Sequence, residues 1–226
     1  METREVVITT IEMGFVNAFL LRGERTVLID TGYPGSEDRI FKSMTDAKIS
    51  PDDVSLILIT HGHIDHVGSL EAILDKIKAP VAIHGSEVQS ITDGIPPDVV
   101  PAKFIGRIFK FLLSFAANRN PRGITPEILI TDELDLKPYG VNARVLHTPG
   151  HTYGSVSIIT ESGEAIIGDM IMGGLVRKRS PGVPFFAEDI GLLRESVKRI
   201  LDYDPGIIYA SHGGPFEPDA VRDKLM

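Results

Sequence analysis

The chain has 226 residues, of which 42% are hydrophobic and 24% charged, an ordinary globular composition that excludes a disordered, collagen-like or coiled-coil protein. Because cysteine is absent, disulfides, thiolate metal sites and a cysteine nucleophile are excluded, and any metal site must use nitrogen and oxygen ligands. The net charge of −8 argues against nucleic-acid binding, so we expect no nucleic-acid partner.

The N-terminal segment METREVVITT lacks the apolar core of a secretory signal peptide. No apolar run in the sequence reaches the roughly 20 residues that a membrane-spanning helix needs. We therefore expect a cytoplasmic protein with no membrane span. The length alone is compatible with one large domain or two small ones.

Runs typical of β-strands alternate along the chain with runs of helical period. The first half predicts strands over Glu5–Thr10, Val16–Arg22, Thr26–Asp30, Val54–Thr60 and Val81–His84. It predicts helices over 36–48, Val67–Lys78 and Ser86–Ile91, with Ser36 capping the first. After residue 126, strands are predicted over Glu127–Thr131, Ala143–His147, Ser155–Thr160, Ala165–Gly168 and Ile207–Ala210, and helices over Phe186–Tyr203 and Glu217–Met226.

Residues 93–126 interrupt this alternation and predict a helical insertion. Turns rich in proline and glycine bracket the apolar run Phe104–Asn118, whose apolar residues cover more than one helical face. Besides packing on its own domain, the helix has three open roles: a lid over a functional site, a homodimer contact, or a membrane-surface element using Lys103, Arg107 and Lys110. We favour a lid that also helps dimerisation and selects a small-molecule substrate with an apolar portion.

The segment THGHIDH places four metal-capable side chains directly after a predicted buried strand. His61 and His63 lie on the same side of an extended backbone, and Asp65 and His66 follow at the start of the next helix. Imidazole and carboxylate groups in this spacing suit Zn, Fe, Mn or Co. The segment therefore predicts a metal site at the end of this strand.

Three more polar side chains stand at predicted strand ends, where loops on a rigid scaffold carry function. His151 lies in the glycine-rich turn TPGHTYGS, Asp169 ends the run AIIGD, and His212 ends the run YASH. Each signal is weak alone. Together with THGHIDH, and in this order, they form one pattern.

This ordered pattern resembles the metallo-β-lactamase superfamily, and the TPGHTYGS turn resembles glyoxalase II in particular. The resemblance covers nearly the whole chain except the insertion. It implies a single domain over residues 1–226 with an α/β fold, a four-layer αββα sandwich. In that fold two mixed sheets lie face to face, helices lie outside, and the metals lie at one sheet edge.

The resemblance also implies the role of each site residue. One metal would be held by His61, His63 and His151, the second by Asp65, His66 and His212, and Asp169 would bridge the two. We expect two divalent ions, zinc first, with iron or manganese as alternatives. A hydroxide bridging them would be the nucleophile, and Asp65 would also be catalytic by carrying a proton.

Three further residues are predicted to support the site or the fold without binding metal. Asp30 ends a strand and is expected to orient a ligating imidazole. His84 and His147 lie on strands and are predicted to be structural.

The predicted activity is hydrolysis of a carboxylic ester, thioester or lactone. His63 stands where flavodiiron relatives carry glutamate, and Met172 stands where acyl-homoserine lactonases carry tyrosine, so neither activity is expected. The chain ends 14 residues after His212, so the helical glutathione domain of glyoxalase II is not expected either. Two alternatives stay open: a phosphodiesterase of the same fold, and a metal-binding regulatory or ligand-binding protein with little turnover.

Overall fold

A computed structural model of the protein describes residues 5–102, 106, 120–174 and 179–226. The predicted helix Phe104–Asn118 lies outside these residues except for Gly106, so its roles as a lid, dimer contact or membrane-surface element stay predictions. Within the described ranges, no helix is long and apolar enough to cross a membrane.

Six strands form the first sheet, in the same order as along the chain. They are β1 Val7–Glu12, β2 Asn17–Arg22, β3 Thr26–Ile29, β4 Val54–Leu58, β5 Val81–His84 and β6 Ile128–Ile130. Strands β1 to β3 are antiparallel neighbours, and β3 to β6 run parallel. The described helices between the parallel strands are α1 Glu37–Asp46, α2 Ile64–Val67, α3 Leu70–Lys76 and α4 Gln89–Thr92.

The second sheet has five strands in the order β13-β10-β9-β8-β7. They are β7 Glu133–Asp135, β8 Ala143–His147, β9 Val156–Thr160, β10 Glu164–Ile166 and β13 Ile207–Tyr209. Strands β10 and β13 are parallel and the other neighbours antiparallel. A small two-stranded sheet joins β11 Met172–Gly173 to β12 Pro181–Gly182, and the last helices are α5 Ile190–Leu201 and α6 Pro218–Leu225.

Successive side chains of a strand point to opposite faces of its sheet, so the apolar side chains are divided among three core layers. In β4, Leu56 and Leu58 enter the layer between the two sheets, whereas Ile57 packs against the helices on the outside of the first sheet. In β9, Ile158 enters the central layer and Ile159 packs on the helical layer that covers the second sheet. Both sheets are therefore covered by helices on their outer faces, and the predicted four-layer αββα sandwich is confirmed.

Several element boundaries differ from the sequence predictions. The helix expected from Phe186 begins at Ile190 because the Asp189 side chain caps it, accepting a hydrogen bond from the Leu192 N–H at 3.0 Å. The helix expected over Val67–Lys78 is the shorter α3, Leu70–Lys76, and Val67 is instead the last residue of the separate helix α2.

Two smaller predictions also fail. Ser36 precedes α1 but its side chain makes no capping hydrogen bond; its backbone N–H donates instead to Oγ of Ser69 at 2.8 Å. Strand β7 was not predicted, because its three residues, Glu133–Asp135, are too few to show a period.

Candidate metal centre

All seven predicted ligands converge at one edge of the sandwich. His61 and His63 follow β4, and Asp65 and His66 lie on α2. His151 lies in the loop between β8 and β9, Asp169 follows β10, and His212 follows β13. The segments that follow β4, β10 and β13 therefore supply six of the seven side chains, which is how the topology joins residues far apart in the sequence.

Three imidazoles, those of His61, His63 and His151, form a triple-histidine cluster. Nε2 of His61 lies 3.0 Å from Nδ1 of His63 and 3.2 Å from Nε2 of His151. Nδ1 of His63 lies 3.0 Å from Nε2 of His151. Metal–nitrogen bonds of about 2.0–2.1 Å around a tetrahedral ion place ligand nitrogens slightly more than 3 Å apart, so one ion fits this spacing.

A second group, Asp65, His66 and His212, forms a mixed cluster beside the first. One Asp65 oxygen lies 3.3 Å from Nε2 of His212, and the other lies 3.8 Å from Nε2 of His66. Asp169 lies between the clusters, with one oxygen 3.5 Å from Nε2 of His66 and the other 3.0 Å from Nε2 of His212. That second oxygen is also 3.6 Å from Nε2 of His151, so the Asp169 carboxylate faces both clusters.

Hydrogen bonds on the outer nitrogens show which ring atoms are available to a cation. Nδ1 of His151 donates to the Phe186 carbonyl at 2.9 Å, and Nδ1 of His212 donates to the Phe15 carbonyl at 2.6 Å. Nδ1 of His66 faces Oδ2 of Asp30 at 2.8 Å. In each neutral ring the proton is therefore on the outer nitrogen, and the lone pair of Nε2 points into the cluster.

Two of the inner atoms lack hydrogen-bond partners. Among the described residues, Nε2 of His66 and Oδ1 of Asp169 are buried without one. Buried polar atoms without partners are costly in a folded protein. Converging lone pairs and a shared carboxylate are the donor set that divalent cations take, so the residues present fit a metal centre.

Burial lowers the pKa values of the imidazoles in the triple-histidine cluster, whereas nearby carboxylates raise those of the imidazoles in the mixed cluster. Burial holds the pKa of His61 and His151 below the ordinary value and lowers that of His63 to about 3, so the triple-histidine cluster is neutral. Burial alone would also lower the pKa values of His66 and His212. Nearby carboxylates outweigh this effect of burial. Asp30, Asp169 and Asp65 raise the pKa of His66. Asp169 and Asp65 raise the pKa of His212 to about 10.

The two remaining predictions near the site concern supporting residues. Asp30 is fully buried and contacts His66, as expected for a residue that orients an imidazole. His84 and His147 stack on each other with ring centroids 4.1 Å apart, and their Nε2 atoms donate to the carbonyls of Thr131 and Tyr153. Both histidines therefore have structural partners away from the two clusters.

Sequence reasoning missed two groups of residues at the site. The first is Glu87, a buried glutamate with no motif around it. The second lines a cleft of about 110 Å³ beside His212. Its described lining is Glu12, Gly14, Phe15, Asn17, Met172, Gly173, Gly174, Phe185, His212, Gly213 and Gly214. Phe15, which lies exposed in the turn between β1 and β2, belongs to no motif that could have marked this cleft in the sequence.

Two known proteins are similar to this chain in sequence. A Bacillus subtilis protein named probable metallo-hydrolase YflN is 28% identical over 212 residues, covering 88% of this chain and 79% of that protein. A Methanocaldococcus jannaschii protein named probable metallo-hydrolase MJ0888 is 34% identical over 156 residues, covering 69% of this chain and 66% of that protein.

Solved structures agree on the fold. The B3 metallo-beta-lactamase BLEG-1 superimposes with a TM-score of 0.72 at 24% identity, covering 97% of this chain and 98% of that one. The archaeal protein ST1585 from Sulfolobus tokodaii superimposes with a TM-score of 0.66 at 22% identity, over 96% of this chain and 83% of that one. The model of the metallo-beta-lactamase superfamily matches residues 11–212. The chain therefore belongs to the metallo-beta-lactamase superfamily, a hydrolytic superfamily of metal-dependent enzymes.

Proposed function

We propose that the protein is a dinuclear metal-dependent hydrolase that cleaves a carboxylic ester, thioester or lactone in a small molecule with an apolar portion. The observation that carries the proposal is the convergence of seven imidazole and carboxylate side chains into two adjacent clusters that share Asp169. Catalytic metal sites use three protein ligands and leave a position open, and each cluster supplies three.

The triple-histidine cluster would hold one ion, the mixed cluster the other, and Asp169 would contact both. When bound, the two ions supply a water nucleophile active near neutral pH and electrophilic assistance to the substrate carbonyl. Nitrogen and oxygen donors accept several metals. We propose zinc as the native metal, with iron and manganese as the alternatives to compare.

Asp65 is the residue that we propose to move a proton. Its side chain is 16% exposed, compared with 6% for Asp169, so it is the more accessible carboxylate of the centre. Burial alone would raise the pKa of Asp65, but His66 and His212 hold it well below its ordinary value. Asp65 is therefore ionised, which is the form that a group needs to accept a proton from the attacking water and pass it to the leaving oxygen or sulfur.

The cleft beside His212 supports an apolar acyl group. Phe15, Met172 and Phe185 line it with apolar side chains, while the nearby glycines leave room for a ligand. Glu12 is the acidic residue in the lining, and the chain carries a net charge of −8. Both charges disfavour a phosphodiester anion, so they favour a neutral carbonyl substrate over the phosphodiesterase alternative.

A substrate panel tests this function directly. We expect zinc-loaded protein to hydrolyse p-nitrophenyl butyrate, an S-butyryl thioester and γ-nonalactone, or one of these three, in steady-state assays. Bis-p-nitrophenyl phosphate should react much more slowly. Activity should disappear with a chelator and return when zinc is added back. Faster cleavage of the phosphodiester would replace the ester proposal, and absence of turnover on all four would favour the binding-protein alternative.

Replacing Phe15 with serine tests the apolar cleft. The Phe15 side chain is 75% exposed, so the substitution leaves the core intact, and the backbone carbonyl that holds His212 is retained. We expect KM for a p-nitrophenyl hexanoate to rise about tenfold, the effect of losing part of a buried aromatic contact, with little change for the acetate.

The matched control for Phe15→Ser is Leu129→Ser, which removes a 57% exposed apolar side chain from β6. It should leave KM for both esters unchanged. Equal responses of the acetate and the hexanoate to Phe15→Ser would contradict the assignment of the cleft to an acyl group.

A further inference from the structure

Glu87 lies between the two loops that carry the triple-histidine cluster. Its side chain is buried, with only 3% exposed. Oε2 accepts a hydrogen bond from the N–H of Gly62 at 2.9 Å, and Oε1 accepts one from the N–H of Gly154 at 2.9 Å. Gly62 separates His61 from His63, and Gly154 follows His151 by three positions. One carboxylate therefore connects the backbones of both loops.

The two loops approach Glu87 so closely that only glycine fits at either contact. A Cβ atom on Gly62 would lie 2.9 Å from Oε2 of Glu87 and 2.4 Å from the Cβ of Ser90. A Cβ atom on Gly154 would lie 2.5 Å from Cγ of Glu87. Contacts below about 3.0 Å require something to shift. Glu87 therefore fills the space beside Gly154, whereas Ser90 and, less closely, Glu87 fill the space beside Gly62.

The peptide of Gly62 is held from its other end as well. Nδ2 of Asn120 donates to the Gly62 carbonyl at 2.9 Å and to the Ser90 carbonyl at 3.2 Å. Both polar groups of Gly62 are therefore occupied by side chains from outside its loop. These hydrogen bonds restrict the movement of the backbone between His61 and His63.

Hydrogen bonds to Glu87 favour its ionised form, although burial opposes it. Burial raises the pKa of this carboxyl, and the hydrogen bonds from Thr152, Gly62 and Gly154 act in the opposite direction. Thr152 is the residue directly after His151. Charge-assisted hydrogen bonds are shorter and stronger than neutral ones, so an ionised Glu87 is the stronger link between the loops.

We propose that Glu87 is a positioning residue for the metal position formed by His61, His63 and His151. By setting the separation of the two loops, it brings the three inner nitrogens to the mutual distances of 3.0–3.2 Å. This inference rests on the metal centre of the proposed function, but not on the identity of the substrate.

Other groups orient the ligands of the mixed cluster, so loss of Glu87 is expected to affect only one of the two metal positions. Asp30 orients His66, and the Phe15 carbonyl orients His212. Loss of the Glu87 link should therefore weaken one metal position and spare the other. A residue that merely stabilised the fold would weaken both.

Glu87→Gln tests the link in the full-length chain. The glutamine amide still accepts one hydrogen bond through its oxygen, but its NH₂ group faces the second backbone N–H, so one loop loses its acceptor. Zinc affinity is measured by competition with a chromophoric chelator, in a His212→Ala background and in a His151→Ala background. We expect a loss of about 10- to 100-fold in the His212→Ala background, as for other residues that orient ligands, and less than about twofold in the His151→Ala background.

Glu127→Gln is the matched control, since Oε2 of Glu127 accepts a hydrogen bond from the Val81 N–H at 2.8 Å at the start of β5. The substitution makes the same change from carboxylate to amide away from both clusters, and the glutamine oxygen can still accept the single Val81 hydrogen bond, so both zinc affinities should stay unchanged. Gly154→Ala, which pushes a methyl group against Glu87, should weaken the same position as Glu87→Gln and serves if the glutamine variant fails to fold.

Equal loss in both backgrounds, or no loss in either, overturns the positioning role. Failure of the unsubstituted chain to bind zinc is a different result, because it overturns the metal centre itself. The cobalt-substituted proteins provide a second readout: the visible absorption of the triple-histidine position should change in Glu87→Gln and stay the same in Glu127→Gln.

Discussion

Asp169→Ala is expected to leave the chain with at most one bound divalent ion and to reduce hydrolysis by about a hundredfold or more. One Asp169 oxygen lies 3.0 Å from Nε2 of His212 and 3.6 Å from Nε2 of His151, and the other lies 3.5 Å from Nε2 of His66. The same carboxylate thus faces both clusters. Alanine therefore removes a ligand from two metal positions at once.

Elemental analysis after saturation with zinc, manganese or iron measures the number of ions per chain. The unsubstituted protein should retain two, and Asp169→Ala one or none. Asp132→Ala is a suitable control, because that carboxylate is 77% exposed and its described ion pair is with Arg199 at the surface. If the unsubstituted chain takes at most one ion, or Asp169→Ala still holds two, the dinuclear assignment is wrong.

Asp30→Asn is expected to lower the free energy of unfolding of the metal-free protein by about 3–5 kcal/mol, the usual effect of removing one partner from a buried ion pair. Oδ1 of Asp30 accepts from the Thr60 N–H at 2.8 Å, and Oδ2 accepts from the Thr60 hydroxyl at 2.7 Å. Oδ2 also faces Nδ1 of His66 at 2.8 Å. An asparagine amide would turn an NH₂ group toward one of these donors and leave it unpaired.

The backbone does not contribute to this effect. Asp30 has a φ of 60°, a left-handed conformation in which asparagine is as well tolerated as aspartate. Asp30→Asn therefore reports on the charge and hydrogen bonds of the carboxylate and not on the backbone. Because Asp30 raises the pKa of His66, the substitution should also weaken the mixed cluster as a zinc site while sparing the triple-histidine cluster.

Urea unfolding of the metal-free protein measures the stability change, with Asp53→Asn as the control. The Asp53 carboxylate also accepts two hydrogen bonds, from the N–H and the hydroxyl of Ser50, but it does so at the exposed surface. Asp53→Asn should therefore have a much smaller effect. A stability loss for Asp30→Asn no larger than that of the control would contradict the buried network.

The sequence by itself was sufficient to predict the fold class, the family and the set of residues that converge. Local signals carried this information: the apolar run of β4, the spacing of His61, His63 and His66, and polar residues at the ends of later strands. Each polar residue after a strand is a weak signal alone, and it was the order of these residues along the chain, with its resemblance to the metallo-β-lactamase superfamily, that implied a shared site.

Apart from Asp30, which the sequence already indicated, tertiary structure alone decided which residues support that site. Glu87 contacts Gly62 and Gly154, which are 25 and 67 positions away, and no local period or motif records such contacts. Helix α5 begins at Ile190 because Asp189 caps it, although the helical period extends further toward Phe186. The seven site residues follow from local chemistry at strand ends, whereas the contacts that orient them depend on how distant loops pack together.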